Sequence, residues 1–218
     1  MHARRMNEHV EGQWGEGQVA TSEAGPHPEH MSDQPPRRRA TYEDLEGVPE
    51  NLVGEIVAGE LYTSPRPRPR HARAAFRLGG ELNPFDRNPR GQGPGGWVLL
   101  FEPELHLSGD ALIPDLAGWR RERLPELPDT AAFELAPDWV CEVLSPSTET
   151  LDRVKKMGSY AREGVKHLWL VDPRLQLLEV YRLEDGRWSR TGAHVGNATV
   201  RAEPFEELTL QLAPLWER

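Results

Sequence analysis

Residues 137–148 read Pro-Asp-Trp-Val-Cys-Glu-Val-Leu-Ser-Pro-Ser-Thr, and the acid at their centre is Glu142. Stretch 139–144 is a continuous apolar run broken by that one carboxylate, as in a central strand covered on both faces. Ser145, Pro146, Ser147 and Thr148 end the run and open a helix over about 149–162. On that helix Leu151, Val154, Met157 and Ala161 recur at helical spacing, and Gly164 stops it. Downstream, 167–172, 177–183 and 187–195 read as strands, with Asp185-Gly186 as a hairpin turn. Upstream, 97–101, 104–107 and 111–119 read as strands, followed by a charged, proline-bearing loop over 120–137.

Further toward the N-terminus, 86–96 is a Gly-, Pro-, Asn- and Arg-rich loop, and 71–82 reads as a helix despite Gly79 and Gly80. Residues 54–64, GEIVAGELYTS, form two strands around a turn at Ala58-Gly59. Thr41, with Asp44 three positions on, caps a short helix over 42–46. Strands mixed with helices in this order give an α/β or α+β class, a mixed β-sheet flanked by helices.

The 218 residues allow one domain with a tail, or two small domains. Residues 1–40 carry repeated Gly, Pro, His and Glu without apolar periodicity, so a disordered tail is expected there, with the folded domain over 41–218. Recognisable structure begins just after Met31, an alternative start. The single cysteine, Cys141, rules out a disulfide within the chain and reads as a buried thiol. No run approaches the ~18 apolar residues of a membrane span, and no apolar leader is visible, so no membrane association and a cytoplasmic location are expected. A formal net charge of −9 does not favour tight non-specific binding to nucleic acid, so any such surface must be local.

Three acids stand in apolar strands: Asp115 inside ALIPDLAGW (111–119), Glu142, and Glu55 at the start of EIVA (55–58). A carboxylate in such a place is costly unless it is paired or binds a metal. Two on neighbouring strands can converge on one divalent cation with oxygen ligands, as Mg²⁺ prefers. Lys156, on the helix that follows the Glu142 strand, is placed to reach them, with Asp152 and Tyr160 four residues to either side on the same face. From spacing alone, Lys156 serves equally as an exposed partner of Asp152, and Lys155 competes for the role.

The ordered set IPDLAGW (113–119), PDWVCEVLSPST (137–148), Asp152-x₃-Lys156-x₃-Tyr160 and GVKHLWLVDP (164–173) resembles the Uma-two family, bacterial restriction endonuclease-like proteins of the PD-(D/E)XK superfamily. TYEDLEGVPE (41–50), the strand pair at 54–61 and His71 after SPRPRPR (64–70) fit the same layout, so the likeness covers roughly 41–215. It implies a restriction-endonuclease-like core and a metal-dependent DNA endonuclease using Mg²⁺ or Mn²⁺. Asp115 and Glu142 would be its paired acids, Glu55 an additional acid and metal ligand, and Lys156 the catalytic lysine. A homodimer is implied as well. The usual superfamily lysine lies two residues after the second acid, where this chain has Leu144. The role then passes to the next helix. A nuclease fold that binds nucleic acid or a protein partner without cutting is the alternative.

A local basic run, Arg66, Arg68, Arg70, His71 and Arg73, is the candidate DNA contact, held extended by prolines at 65, 67 and 69, with Arg87 and Arg90 in the Gly-rich loop. The same run also reads as a solvated loop. His71 either caps the helix it begins or touches a phosphate. Asp172 before Pro173 reads as a turn former, Trp119, Trp139 and Trp169 as core, and Trp216 as a packing anchor or dimer contact. No GxxxxGK[ST] loop is present, which argues against an NTPase.

Overall fold

Residues 38–87 and 94–217 are described by the computed structural model, Arg87 through its backbone alone. The expectations for residues 1–37, and for Arg90 and most of the 86–96 loop, lie outside the described residues. Arg38–Ala40, assigned to the tail from sequence, are instead tied to the fold. The Arg38 guanidinium donates to Asp44 at 2.6 Å and the Ala40 N–H donates to Gly59 O at 2.8 Å.

The chain opens with helix α1 (Tyr42–Glu46), where the Asp44 carboxylate accepts the Thr41 backbone N–H at 2.7 Å. Strands β1 (Leu52–Val57) and β2 (Glu60–Pro65) form a hairpin that leads to α2 (Pro69–Arg87). This helix is longer than the 71–82 expected, because Pro69 opens it without losing a needed donor. Then come β3 (Trp97–Phe101), β4 (Leu105–Leu107), β5 (Asp110–Leu112), β6 (Leu116–Arg120) and β7 (Trp139–Val143). A π-helical segment, Leu151–Lys156, runs into α3 (Met157–Arg162), and β8 (His167–Asp172), β9 (Leu177–Glu184) and β10 (Arg187–Val195) complete the main sheet. The short pair β11 (Thr199–Val200) and β12 (Leu210–Gln211) precedes α4 (Ala213–Trp216).

The six-stranded sheet has the order β10-β9-β8-β7-β6-β3, and the smaller four-stranded sheet the order β2-β1-β5-β4. Only β7 and β8 pair in parallel in the main sheet. A parallel pair needs a crossover, and the π segment with α3 provides it. The single strand expected over 111–119 is two strands in two different sheets. Pro114 has no N–H for a ladder and the chain turns at Ile113-Pro114-Asp115, so Asp115 sits where one sheet hands over to the other.

Side chains alternate across β7 and sort into two cores. Trp139, Cys141 and Val143 pack with Ala74, Leu78 and Leu82 of α2 and Trp216 of α4. Val140 and Leu144 face the other way, with Val57, Leu105, Tyr160 and Leu168. Glu142 shares the parity of this second face. Trp119, Trp139 and Trp169 are buried, as expected for core, and Trp97 joins them; at about 25 cal/mol per Å² each hides about 5 kcal/mol worth of surface. Trp216 is also an internal anchor, donating its indole N–H to Gly196 O at 2.7 Å. Asp172 caps its turn as read, accepting the Arg174 and Leu175 N–H groups at 2.8 and 3.1 Å. Among the described residues no helix is long and apolar enough to cross a membrane.

Candidate active site

Register brings the two strand acids together. Leu116 of β6 lies opposite Cys141 of β7 in an antiparallel pair, so one further step sets Asp115 against Glu142 on the second face. Directly opposed side chains stand about 4.5–5.5 Å apart at Cβ. Asp115 is fixed from its other side: its Oδ2 accepts the Val143 backbone N–H at 2.7 Å. Glu55 comes from the smaller sheet. It is interior to β1 rather than at its start, and its Oε1 accepts the Ile113 N–H at 2.8 Å, beside the handover that places Asp115.

The Lys156 ammonium closes the group. It lies 2.8 Å from Glu55 Oε1, 2.8 Å from Glu142 Oε1 and 3.8 Å from Asp152, and donates to Ile113 O at 3.2 Å. The side chain is 2% exposed, so the exposed-lysine reading is excluded. Lys155 points away to Glu60 at 3.6 Å. Tyr160 donates its hydroxyl to Glu142 Oε1 at 2.6 Å.

The apolar face expected for this helix holds in part: Leu151 and Met157 pack against the second core, whereas Val154 is exposed, and Asp152, Lys156, Ser159 and Tyr160 are buried beside them. The π segment accounts for the alignment. The Met157 N–H reaches back five residues to Asp152 O. Four residues overshoot an α turn by about 40°, whereas the wider π turn undershoots, so the drifts oppose and Asp152, Lys156 and Tyr160 stay on one stripe.

Glu55, Asp115, Glu142, Asp152 and Lys156 line a cleft of about 480 Å³ that also meets Arg66, Arg68, His71, Glu102 and the loop Ser145–Thr148. His71 does not cap the helix, which starts at Pro69; its Nε2 lies 3.3 Å from Asp115 Oδ1. Of the basic run, Arg66 and Arg68 line the cleft, Arg70 is exposed outside its lining, and Arg73 turns to Glu217, donating to its carbonyl at 3.2 Å. Sequence reading put Tyr160 on the right face and gave it no task, and it left Ser145–Thr148 as a helix start only. The four-residue spacing of Asp152, Lys156 and Tyr160 was the available signal.

The charges are unevenly matched: Glu55, Glu142 and Asp152 share one buried ammonium. Burial pushes the Glu142 carboxyl well above the usual carboxylate range; Lys156 pulls it back, and Asp152, Asp115 and Glu55 add to the rise. Asp152 is pushed up to about 6, by burial first and against the pull of Lys156 and the Thr148 hydroxyl. For Lys156 burial favours the neutral amine, but Glu142, Glu55, Tyr160 and Asp152 outweigh it and hold the ammonium well above its ordinary value. Burial and Glu142 keep the Tyr160 phenol protonated. Burial works to lower the His71 imidazole, and its contact with Asp115 more than reverses this. The cluster thus holds more carboxyl groups than its one ammonium can balance.

Its donors suit a hard one. Asp115 and Glu142 offer carboxylate oxygens at the cleft floor, with Glu55 beside them. Among the described residues no three or more His, Cys, Asp or Glu side chains are arranged as a metal cage. Two carboxylates at a cleft floor are what an ion such as Mg²⁺ would take from a protein, its shell completed by water and phosphate oxygens.

Comparison with known proteins adds three findings. A family model, Uma2, described as "Putative restriction endonuclease", matches residues 39–213. No curated protein matches the chain. Among solved structures, one described as "a putative nuclease belonging to DUF820", from Anabaena variabilis ATCC 29413, superposes with a TM-score of 0.64 at 22% identity, covering 81% of this chain and 97% of that one. At that identity the likeness establishes a shared fold.

Proposed function

The chain belongs to the Uma2 family, and on that premise we propose that it is a metal-dependent endonuclease that hydrolyses phosphodiester bonds of DNA, using Mg²⁺ or Mn²⁺. The observation that carries this reading is the convergence of Asp115 and Glu142 from adjacent strands at the floor of a cleft, with the Lys156 ammonium 2.8 Å from Glu142. A pure binding protein gains nothing from carboxylates held out of water at such cost.

When bound between Asp115 and Glu142, a divalent ion would polarise the phosphodiester and acidify a water. The protein's own groups do the rest. The Val143 N–H and His71 hold Asp115 from both of its oxygens. Tyr160 and Lys156 hold Glu142, and Lys156 ties Glu55 to it. The fixed ammonium offsets negative charge that develops on the phosphate. Arg66 and Arg68 on the cleft wall supply local positive charge beside the acids and would take flanking phosphates. Cutting of both strands of a duplex would be served by a homodimer.

The test is cleavage of plasmid and single-stranded DNA with Mg²⁺ or Mn²⁺, comparing the wild type with Glu142→Gln and Asp115→Asn. Metal-dependent cutting lost in both variants supports the proposal. Cutting that survives Glu142→Gln places the reaction elsewhere, and no cutting of any substrate favours the non-cleaving alternative.

A further inference from the structure

The reacting groups lie deep. Glu142 is 3% exposed and Lys156 2%, so a phosphodiester must descend to them. A duplex is stiff over about 150 base pairs and offers its phosphates on a convex surface, whereas a single strand bends at every nucleotide. Tight duplex binding draws on many phosphate contacts, yet only Arg66 and Arg68 of the basic run line the cleft and the chain is −9 overall. Single-strand binders draw instead on aromatic faces.

Two exposed aromatic faces are available, Phe101 beside the cleft and Phe76 on α2. Phe101 ends β3 next to cleft-lining Glu102, and pairs across the sheet with Leu116, the residue after Asp115. Its ring lies over Gly79 of α2, where an added Cβ would fall 2.9 Å from Phe101 Cε2, and it is 47% exposed. Phe76, about one turn earlier on the same helix, is 70% exposed, and a Cβ at Gly80 would meet open space. Helix α2 also carries His71, which reaches Asp115. Phe101 packed on α2 and Phe76 on that helix thus offer two exposed apolar faces, taken together as a ledge.

We propose that the cleft and this ledge bind single-stranded DNA, with bases stacking on Phe101 and Phe76 while one phosphate reaches Asp115 and Glu142. The inference rests on the nuclease reading above and narrows its substrate.

Fluorescence anisotropy tests it with the full chain, using a labelled single strand of about 20 nucleotides and the same strand in a duplex, in EDTA and again with Ca²⁺. The single strand should bind at least about tenfold more tightly, and Phe76→Ala and Phe101→Ala should each weaken it by about tenfold. Phe101→Leu, which keeps the packing on Gly79, should weaken binding similarly and melt like the wild type. Equal or tighter duplex binding overturns the inference, as do Phe variants that bind normally. Variants that bind normally but lose a dimer in light scattering would make the ledge a self-association face instead. If the single strand binds through both phenylalanines yet is never cut with Mg²⁺ or Mn²⁺, the nuclease reading fails and the binding surface stands.

Discussion

Replacing Lys156 by Met keeps an unbranched side chain of similar length and removes the ammonium shared by Glu55, Glu142 and Asp152. The ammonium is ion-paired with Glu55 at 2.8 Å and Glu142 at 2.8 Å and donates a hydrogen bond to Ile113 O at 3.2 Å. Removing one partner of a buried ion pair costs about 3–5 kcal/mol, because the other charge is left in a place that cannot solvate it. For a chain of this size each kcal/mol shifts Tm by about 2–4 °C, so Lys156→Met should melt about 6–20 °C below the wild type at pH 8 in EDTA.

The deficit should be pH-dependent. Asp152 already has a folded value near 6 against an ordinary 3.8, and Glu142 is raised as well. Groups raised on folding stabilise the fold at low pH and lose that contribution as pH rises through the folded value. Without Lys156 these carboxyls rise further, so protonation should relieve the variant, and its gap to the wild type should narrow between pH 8 and pH 5. Millimolar Mg²⁺ should also restore part of the lost Tm. Thermal melts followed by circular dichroism read all three effects. A variant that melts within about 2 °C of the wild type at pH 8 in EDTA would refute the account of Lys156 as the counter-charge of the cluster.

Tyr160→Phe removes only the hydroxyl given to Glu142 at 2.6 Å, and should cost about 1.5–3 kcal/mol in chemical denaturation while lowering cleavage more than substrate affinity. Gly118→Ala puts a Cβ 2.8 Å from Leu99 Cδ2 and 3.2 Å from the rings of both Trp97 and Trp139, and should lower stability by about 1–3 kcal/mol, read by the same denaturation. Burial alone would raise the Asp172 carboxyl, but Arg174 and the Leu175 N–H outweigh it and hold it below 3.8. A depressed carboxyl stabilises above its unfolded value and loses that contribution as pH falls. Asp172→Asn should therefore cost about 1–2 kcal/mol at pH 7, moderated by solvent around Arg174, with the gap closing below about pH 4 in parallel melts.

Much of this site is written in single residues that contradict their surroundings. Glu142 in an apolar run and Asp115 after a proline identify themselves, because a strand core tolerates a carboxylate only when something compensates it. Sequence does not carry the compensation, which depends on register and helix phase. Reading 111–119 as one strand would leave Asp115 in the middle of a sheet. Pro114 instead breaks the ladder, and only then do Ile113 and Asp115 bring β1, β5 and β6 to a common point. The helix after β7 was legible only in part for a related reason. Leu151 and Met157 of the apolar stripe pack inward as their spacing says, but the π turn shifts the phase, buries Asp152, Lys156 and Tyr160 and leaves Val154 in water. Periodicity assumes that apolar residues alone choose the buried face. Here that face also carries polar groups because it serves the acids of β7 and β1, and a sequence shows that choice only through the regular spacing of an acid, a lysine and a tyrosine.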